Sequence, residues 1–156
     1  MSESKGLLNN SIKFYRANGK YGFLSNLYKE PVFFEGKWWD TAEHAYQFGK
    51  FRDKEIAEWV MSAPKPHLVS VVGHGIFAFD ITPNWSKIKV ERMKNILHSK
   101  FSLNQELKKK LIETEDSILI ENSKTDNFWG IGPKFKGKNM LGKLLMEIRE
   151  KLQMEA

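Results

Sequence analysis

The chain has 156 residues, of which 41% are hydrophobic and 28% charged, a composition typical of a globular domain with a core of its own. It has no cysteine, which excludes disulfides, thiolate metal sites and a cysteine nucleophile, and no run of about 18 apolar residues that would predict a membrane span. The net charge of +6 favours an anionic partner, such as a phosphorylated small molecule, a nucleotide or nucleic acid.

The beginning of the chain predicts a leader followed by short strands. Residues 1–10 are predicted to be disordered and lack the basic and apolar regions of a secretory signal, which favours a cytoplasmic protein. Without a visible linker or repeat, residues 11–156 are predicted to form a single domain. Alternating apolar and polar residues predict a strand over 11–16, and a turn between residues 31–35 and 38–39 predicts a small antiparallel sheet.

Two helices are predicted to follow this sheet. The first covers residues 41–51, with Asp40 as its N-cap and Glu43 completing a capping box. The second covers 53–61, and its predicted inward face consists of Ile56, Trp59 and Val60.

The remaining chain predicts an alternation of helices with short extended or loop segments. A short helix over 66–72 is predicted to end at Gly73 and Gly75, and residues 76–81 fit either a loop or a strand. A long helix is predicted to begin at Thr82-Pro83. Its predicted buried stripe consists of Trp85, Ile88, Met93, Ile96, Leu97 and Phe101. The last predictions are a helix capped at Ser102, a strand over 117–121, a glycine-containing loop over 128–137 and a helix over 139–152.

One face of the helix over 41–51 carries three polar side chains. Glu43, Gln47 and Lys50 recur at i, i+4 and i+7, which places a carboxylate, an amide and an amine side by side. The residues leave two interpretations open. Glu43 and Lys50 either form a catalytic face, or Glu43 only caps the helix and Lys50 is a solvated lysine near its end.

The segment from Gly132 to Asn139 has the spacing G-x-x-x-x-G-K before a helix. A nucleotide-triphosphate loop needs Ser or Thr where Asn139 stands, so that enzyme class is rejected. Either the loop holds a phosphate with its backbone amides, or it is a basic turn with Asn139 as a plain N-cap. The four histidines show no ligand spacing, so neither a metal nor a cofactor is predicted, and His67, His74 and His98 are interpreted as surface or packing residues.

A carboxylate and an indole, Asp126 and Trp129, precede this loop. Asp126 either bonds its own backbone in a turn or serves as a second carboxylate beside Glu43, which would steady positive charge on a sugar. The second interpretation requires Asp126 and Glu43 to meet in space.

Taken together and in order, several motifs resemble the NADAR-domain family, which is also described as a family of riboflavin-intermediate N-glycosidases. The resemblance covers residues 14–150. Its motifs are residues 14–15, 21–26, 36–39, 41–44, 47–51, 84–85 with 89, 100–101, 126–130, 137–142 and 145–146.

The resemblance implies an α+β fold, mainly helical in a single domain with a small antiparallel sheet, and hydrolysis of an N-glycosidic bond. It implies two substrate classes: the ribosylamino-pyrimidine phosphates of riboflavin synthesis, and ADP-ribose on a guanine base, including ADP-ribosylated DNA. Both substrates carry a planar base and a phosphorylated ribose, which suits a basic chain rich in aromatic residues. The alternative is a non-catalytic module that binds nucleotides or nucleic acid.

Carried over residue by residue, the resemblance assigns Glu43 as the pocket acid and Lys50 as a covalent catalyst that forms a Schiff base with C1 of the opened ribose. Lys37 is the second choice for that lysine, and Trp85 and Trp129 resemble base-stacking rings. Asp126 completes the catalytic set. The predicted substrate-binding residues are Tyr21, Phe23, Ser25, Asn26, Lys37, Trp39, His44, Gln47, Trp85, Trp129, Gly130, Gly132 and Asn139.

The chain also departs from the family pattern. Asp40 and Ala42 replace a proline and a serine, Ile131 stands where an acid is common, and an arginine common shortly before Asn84 is missing. These differences concern the phosphate contacts of the substrate more than the reaction.

Overall fold

The structure, a computed structural model, describes residues 10–75 and 80–155. The predictions for residues 1–9 and 76–79 lie outside the described residues. The chain divides into two compact units, one built from residues up to Ser25 and from Phe101 onwards, the other from Asn26–Lys100. The single domain over 11–156 stays a prediction.

Six α-helices and four short strands form the described parts of the chain. In chain order they are β1 (Ser11–Phe14), a short 3-10 helix (Gly22–Leu24), β2 (Val32–Phe34), β3 (Lys37–Trp39), α1 (Ala42–Lys50), α2 (Lys54–Met61), α3 (Pro66–Gly75), α4 (Trp85–Leu103), α5 (Gln105–Ile112), β4 (Ile118–Glu121) and α6 (Met140–Glu155). This mainly helical architecture with small sheets confirms the predicted fold class.

The first unit is built around a two-stranded parallel sheet. β1 pairs with β4, with Ser11 opposite Ile118 and Phe14 opposite Glu121. The sequence predicted both strands but only an antiparallel sheet. The pairing joins strands more than a hundred residues apart, which periodicity cannot reveal. α6 packs against β4 so closely that a Cβ at Gly142 would overlap the Leu119 carbonyl.

The apolar stripe of α6 is confirmed, and it stabilises this unit. Burying each such side chain contributes about 1.5–3 kcal/mol. The buried residues of the stripe are Leu141, Leu144, Leu145, Ile148 and Leu152.

The second unit begins with the predicted hairpin. β2 and β3 are antiparallel, with Val32 opposite Trp39. The turn between them places Glu35 at φ 51° and Gly36 at φ 78°, and positive φ at both central residues is what a tight type I′ hairpin turn requires. α1 packs against this hairpin and against α2 and α3. Arg92 of α4 links α1 to the hairpin, because its guanidinium donates to the Ala45 carbonyl of α1 and pairs with the Glu35 carboxylate of the hairpin turn.

Three predicted helix starts were wrong. The N-cap of α1 is Thr41 and not Asp40: Thr41 is extended at φ −147°, and its hydroxyl accepts the His44 N–H at 3.2 Å. The N-cap of α5 is Asn104 and not Ser102, since Asn104 accepts the Leu107 N–H at 3.1 Å. α4 begins at Trp85 and not at Thr82-Pro83. The preceding Asn84 has φ 61°, which is left-handed and interrupts a helix.

Two predicted inward faces were partly wrong. In α2, Ile56 is 46% and Trp59 is 75% exposed, whereas Val60 faces inward as predicted, together with Ala57. The small Ala57 side chain lets this face approach Phe51 and Val69 closely. In α4, Ile88 is exposed while the other predicted stripe residues are buried.

α4 also buries a lysine. Lys100 is only 3% exposed, with its ammonium 5.8 Å from the Tyr28 ring centre, and burial lowers its pKa from 10.5 to about 7 while the charge of Glu30 opposes the shift. Between pH 7 and 10.5 the unfolded chain therefore binds a proton that the folded chain does not. Folding should gain up to about 1.4 kcal/mol per pH unit across that window and carry the full burial cost below it.

Lys100→Met is accordingly expected to raise the free energy of unfolding most at pH 6, with the gain shrinking towards pH 10. Urea denaturation at pH 6, 8 and 10 measures this. The exposed Lys109 of α5 provides the control, Lys109→Met, whose effect should not follow that trend. A pH-independent effect of Lys100→Met would contradict the assignment.

Candidate active site

The polar face of α1 is buried over the first two turns of the helix. Because Thr41 caps the helix, Glu43 does not reach back to the helix start. It lies buried, 8% exposed, and its Oε1 accepts a 2.7 Å hydrogen bond from Nε2 of Gln47. The backbone N–H of Glu43 is bonded to the Asn26 carbonyl. The interpretation of Glu43 as a simple capping residue is therefore replaced by that of a buried carboxyl paired with an amide.

The environment of Glu43 favours its neutral form. Burial raises the pKa of Glu43 above its ordinary value, and this effect is larger than the sum of four effects that lower the pKa. The opposing effects come from the Gln47 hydrogen bond, the His74 charge, the Ser70 hydroxyl and the Lys50 charge. The carboxyl consequently keeps its proton to a higher pH than an exposed glutamate does. A buried, protonated carboxyl is what general-acid chemistry requires.

Lys50 is held by the neighbouring helix. Its Nζ donates a 2.7 Å hydrogen bond to the Gly73 carbonyl of α3, and its charge acts on the Glu43 carboxyl. The interpretation of Lys50 as a solvated lysine is thus wrong, since the side chain is half-buried and bonded across α1 and α3. The structure places an acid, an amide and an amine along one face, as the spacing predicted.

Gly73 was predicted to end α3, but the helix continues through it to Gly75. A Cβ at Gly73 would overlap the Gln47 side-chain amide, whereas a Cβ at Gly75 would meet nothing within 4 Å. Gly73→Ala is therefore expected to push the Gln47 amide off Glu43 and to destabilise the fold by about 0.5–1.5 kcal/mol, the contribution of the hydrogen bond that is lost.

Gly75→Ala is the matched control for that variant. It lies in the same last turn of α3 and should be neutral or slightly stabilising, because alanine loses less backbone entropy than glycine in a helix. Thermal unfolding of both variants tests the prediction. Equal melting temperatures would show that close packing at Gly73 has no role.

Three buried side-chain atoms in the described parts of the chain have no hydrogen-bond partner: Asn26 Oδ1, His44 Nε2 and Gln47 Oε1. All three residues were predicted to bind substrate. An unsatisfied buried polar group costs about 1–3 kcal/mol, and such groups concentrate where a ligand is to be bound. His44, 3% exposed, holds Nδ1 2.7 Å from the Thr41 hydroxyl, and burial lowers its pKa, which favours the neutral imidazole.

Aromatic rings flank this face, although most serve the core. Trp39 is buried, lies 4.8 Å from the Phe48 ring centre and donates its Nε1–H to the Phe34 carbonyl. The ammonium of the exposed Lys37 lies 4.1 Å from the Trp39 ring centre, a cation–π distance. Trp85 of α4 is buried edge-on against the Tyr46 ring of α1. Its predicted role as a base-stacking ring stays a prediction.

The remaining predicted site residues belong to the other unit. Tyr21 and Phe23 line a cavity of about 560 Å³ together with Lys20 and Lys110, while Ser25 is buried. This cavity brings two predicted binding residues together with two cations.

The residues around the glycine loop stabilise its conformation. Asp126 Oδ1 accepts the backbone N–H groups of Phe128 and Trp129 at 2.9 and 2.8 Å, which is the first of its two predicted roles, bonding its own backbone in a turn. Asn139 donates to the Leu119 carbonyl at 2.9 Å and accepts the Glu121 N–H at 2.8 Å, so its amide is engaged with β4.

Gly130 and Gly132 are tightly packed. A Cβ at Gly130 would overlap the Glu121 side chain, and Gly132 has φ 70°. Trp129 is half-buried against the Phe128 ring. The roles of these residues and of Asp126 in binding or catalysis stay predictions, as does the meeting of Asp126 with Glu43.

Sequence reasoning missed the contribution of α3. Ser70 and His74 both act on Glu43, and the Gly73 carbonyl anchors Lys50. The available signal was the i, i+4 spacing of Ser70 and His74 with a glycine between them, although α3 alone gives no indication of which helix it contacts.

Within the residues that the structure describes, every helix is too short or too polar to cross a bilayer.

Comparison with known proteins places these features in a family. The model of the NADAR domain matches residues 13–153. The N-glycosidase YbiA of Escherichia coli is 36% identical over 144 residues, covering 92% of this chain and 89% of YbiA. An N-glycosidase of Nostoc punctiforme is 32% identical, covering 92% of this chain and 93% of its own length.

Two further comparisons agree. A riboflavin biosynthesis protein of Vibrio vulnificus is 35% identical, and the match covers 96% of this chain but 41% of that protein. The NMR structure of E. coli YbiA superimposes with a TM-score of 0.82 at 36% identity, covering 92% of this chain and 85% of YbiA. The chain belongs to the NADAR domain family.

Proposed function

We propose that this protein hydrolyses the N-glycosidic bond between a phosphorylated ribose and a base. Its homology to N-glycosidases over nearly its full length makes it a hydrolase of N-glycosyl compounds. The finer proposal concerns the substrate: a ribosylamino-pyrimidine phosphate, or ADP-ribose linked to guanine. The net charge of +6 supports an anionic substrate, and the unsatisfied amide oxygens and imidazole nitrogen near Glu43 support one that also carries hydroxyl or N–H groups.

The observation that carries the proposal is the buried Glu43 carboxyl with Lys50 anchored on the same helix face. Breaking an N-glycosidic bond leaves a basic nitrogen that must be protonated and a sugar carbon that becomes positively charged. Glu43, whose pKa burial raises, is suited to give the proton to the leaving nitrogen. The Gln47 amide fixes the carboxyl in place.

The lysine supplies a nucleophile in this proposal. As the bond between C1 and the base nitrogen breaks, its electrons stay on that nitrogen, which takes the Glu43 proton. The Lys50 ammonium first loses a proton to solvent; the neutral amine then bonds to C1 and sheds one further proton, and the lysine regains its charge from solvent at the end of the turnover, so the step is balanced. Opening of the ribose ring gives an imine, and water then releases the sugar and restores the amine. The hydrogen bond to the Gly73 carbonyl holds the lysine beside the acid before substrate binds.

The recognition groups are assigned by chemistry. Asn26, His44 and Gln47 each present a buried polar atom without a partner, which suits ribose hydroxyls or the polar edge of a base. Lys37 is exposed above Trp39 and is suited to a phosphate.

The test is to incubate the purified protein with a ribosylamino-pyrimidine phosphate and, separately, with guanine-linked ADP-ribose in DNA. Release of base from one substrate supports the proposal and assigns the substrate class. If neither substrate releases a base, hydrolysis of these two classes is wrong. Binding without turnover by the wild type, which persists unchanged in Glu43→Gln and Lys50→Ala and weakens steeply with salt, would favour a non-catalytic nucleotide-binding module instead.

A further inference from the structure

Three aromatic rings form a wall where α1 packs against the hairpin. The Phe48 ring of α1 lies 4.8 Å from the Trp39 ring centre, and the Trp39 indole donates to the Phe34 carbonyl of β2. Phe48 follows Gln47, and successive residues of a helix are turned by about 100°. The ring wall, defined by Phe34, Trp39 and Phe48, therefore lies on a different face of α1 from the proposed catalytic face.

Two lysine ammoniums lie against the ring wall. Lys37 Nζ is 4.1 Å from the Trp39 ring centre and 5.5 Å from the Phe48 ring centre. Lys54 Nζ is 4.9 Å from the Phe48 ring centre. The hairpin and the first residue of α2 thus bring two amines to the same ring. A ring face attracts a cation but does not neutralise its charge.

The two lysines keep N–H groups available for a ligand. Lys54 Nζ donates to the Phe48 and Phe51 carbonyls at 3.0 and 2.7 Å, which fixes it at the end of α1 and leaves one of its three N–H groups. Lys37 is exposed, and its stem can turn towards a bound group. Within residues 10–75 and 80–155, neither ammonium forms an ion pair with a carboxylate.

A third cation adds to the positive charge of the ring wall. The Arg92 guanidinium lies 4.9 Å from the Phe34 ring centre and is paired with the Glu35 carboxylate. Burial and then the Arg92 charge lower the pKa of Lys54, while the Glu35 charge opposes both. Because Glu35 is engaged by Arg92, the lysines keep an excess of positive charge, which a bound anion would compensate.

We propose that Lys37 and Lys54 bind a phosphate group of the substrate at the ring wall. The inference rests on the proposed function, in which the substrate carries a phosphorylated ribose. A phosphate presents several acceptor oxygens, so one group can accept from both ammoniums at once. Because the ring wall and the catalytic face are different faces of α1, the phosphate charge is kept away from the Glu43 carboxyl.

Binding to the full chain can be followed by ¹H–¹⁵N NMR without any turnover. The Trp39 indole N–H is the reporter, because the Lys37 ammonium lies on its ring. Ribose 5-phosphate and ADP-ribose are the probes, and unphosphorylated ribose is the control. Tighter binding of ADP-ribose would assign the site to a diphosphate, and equal binding would assign it to a single phosphate. A reporter that moves with neither probe, or equally with ribose, would overturn the proposal.

Charge-removing variants test the two lysines. Lys37→Gln and Lys54→Gln should each weaken binding of the probe by about threefold to tenfold. Lys54→Arg can still donate to both carbonyls and should bind nearly as the wild type, which separates binding from the stability of α1. Lys87→Gln, an exposed lysine of α4 in the same unit, is the matched control and should bind as the wild type. Unchanged binding in both site variants, or equal weakening in Lys87→Gln, would overturn the site.

Turnover separates this inference from the proposed function. Lys37→Gln and Lys54→Gln should raise KM more than they lower kcat, because they act on the phosphate and not on the leaving nitrogen. A Trp39 signal that moves with the probes, without hydrolysis of either substrate, would keep the phosphate site and refute the hydrolysis. Hydrolysis with a Trp39 signal that does not move would keep the function and refute the site.

Discussion

Glu43→Gln is expected to lower kcat by about 10²–10⁴-fold, the contribution typical of a positioned general acid. Glutamine keeps the size of the side chain and can still bond to the Gln47 amide across the 2.7 Å contact. It cannot give a proton to a leaving nitrogen. Steady-state kinetics with the substrate that the wild type turns over measures the loss, and KM should change little because the bound geometry is retained.

The control for Glu43→Gln is Glu55→Gln on α2, an exposed glutamate in the first turn of that helix. This variant should keep the wild-type rate. A Glu43→Gln variant with more than a tenth of the wild-type kcat would remove Glu43 from the role of acid.

The raised pKa of Glu43 determines how activity and stability should change with pH. The acid form of Glu43 is the active form, and burial raises its pKa, so the limb of the kcat profile that Glu43 controls should fall as pH rises through that raised value. Stability should follow the same direction. The folded state binds the Glu43 proton more tightly than the unfolded state, so its stabilising contribution is complete below the ordinary pKa and is lost as pH rises through the folded one. Glu43→Gln should lack both trends.

The periodicity of the sequence predicted what depends on local order. The α6 stripe and the spacing of Glu43, Gln47 and Lys50 follow from 3.6 residues per turn, and the structure confirms both. Caps were less predictable, because Asp40 and Thr41 are both good N-cap residues and only the backbone angles decide between them.

Contacts between distant segments were not predictable. The Gly73 carbonyl that holds Lys50 is 23 residues away along the chain, and a glycine in a helix reads equally well as a stop or as a point of close approach. The same limit applies to Ile56 and Trp59, whose exposure depends on how α2 is rotated against its neighbours.

Lys50→Arg is expected to abolish turnover, with a loss of about a thousandfold or more, since the guanidinium stays protonated and cannot add to C1. Arginine keeps the positive charge near Glu43 and can still donate to the Gly73 carbonyl. The variant therefore separates a covalent role from an electrostatic one, which Lys50→Ala cannot do.

Borohydride added during turnover should reduce the imine and attach the sugar to the wild-type protein at Lys50, which mass spectrometry of the digested chain would locate. Lys37→Arg is the matched control: its ammonium lies on the Trp39 ring, so this variant should still be trapped at Lys50 and lose mainly substrate affinity. Trapping at Lys37 in the wild type, with an active Lys50→Arg variant, would transfer the covalent role to the hairpin lysine. An active Lys50→Arg variant with no trapped lysine anywhere would leave Glu43 to act with water alone. Either outcome would reduce the hydrogen bond between Lys50 and Gly73 to a link between α1 and α3.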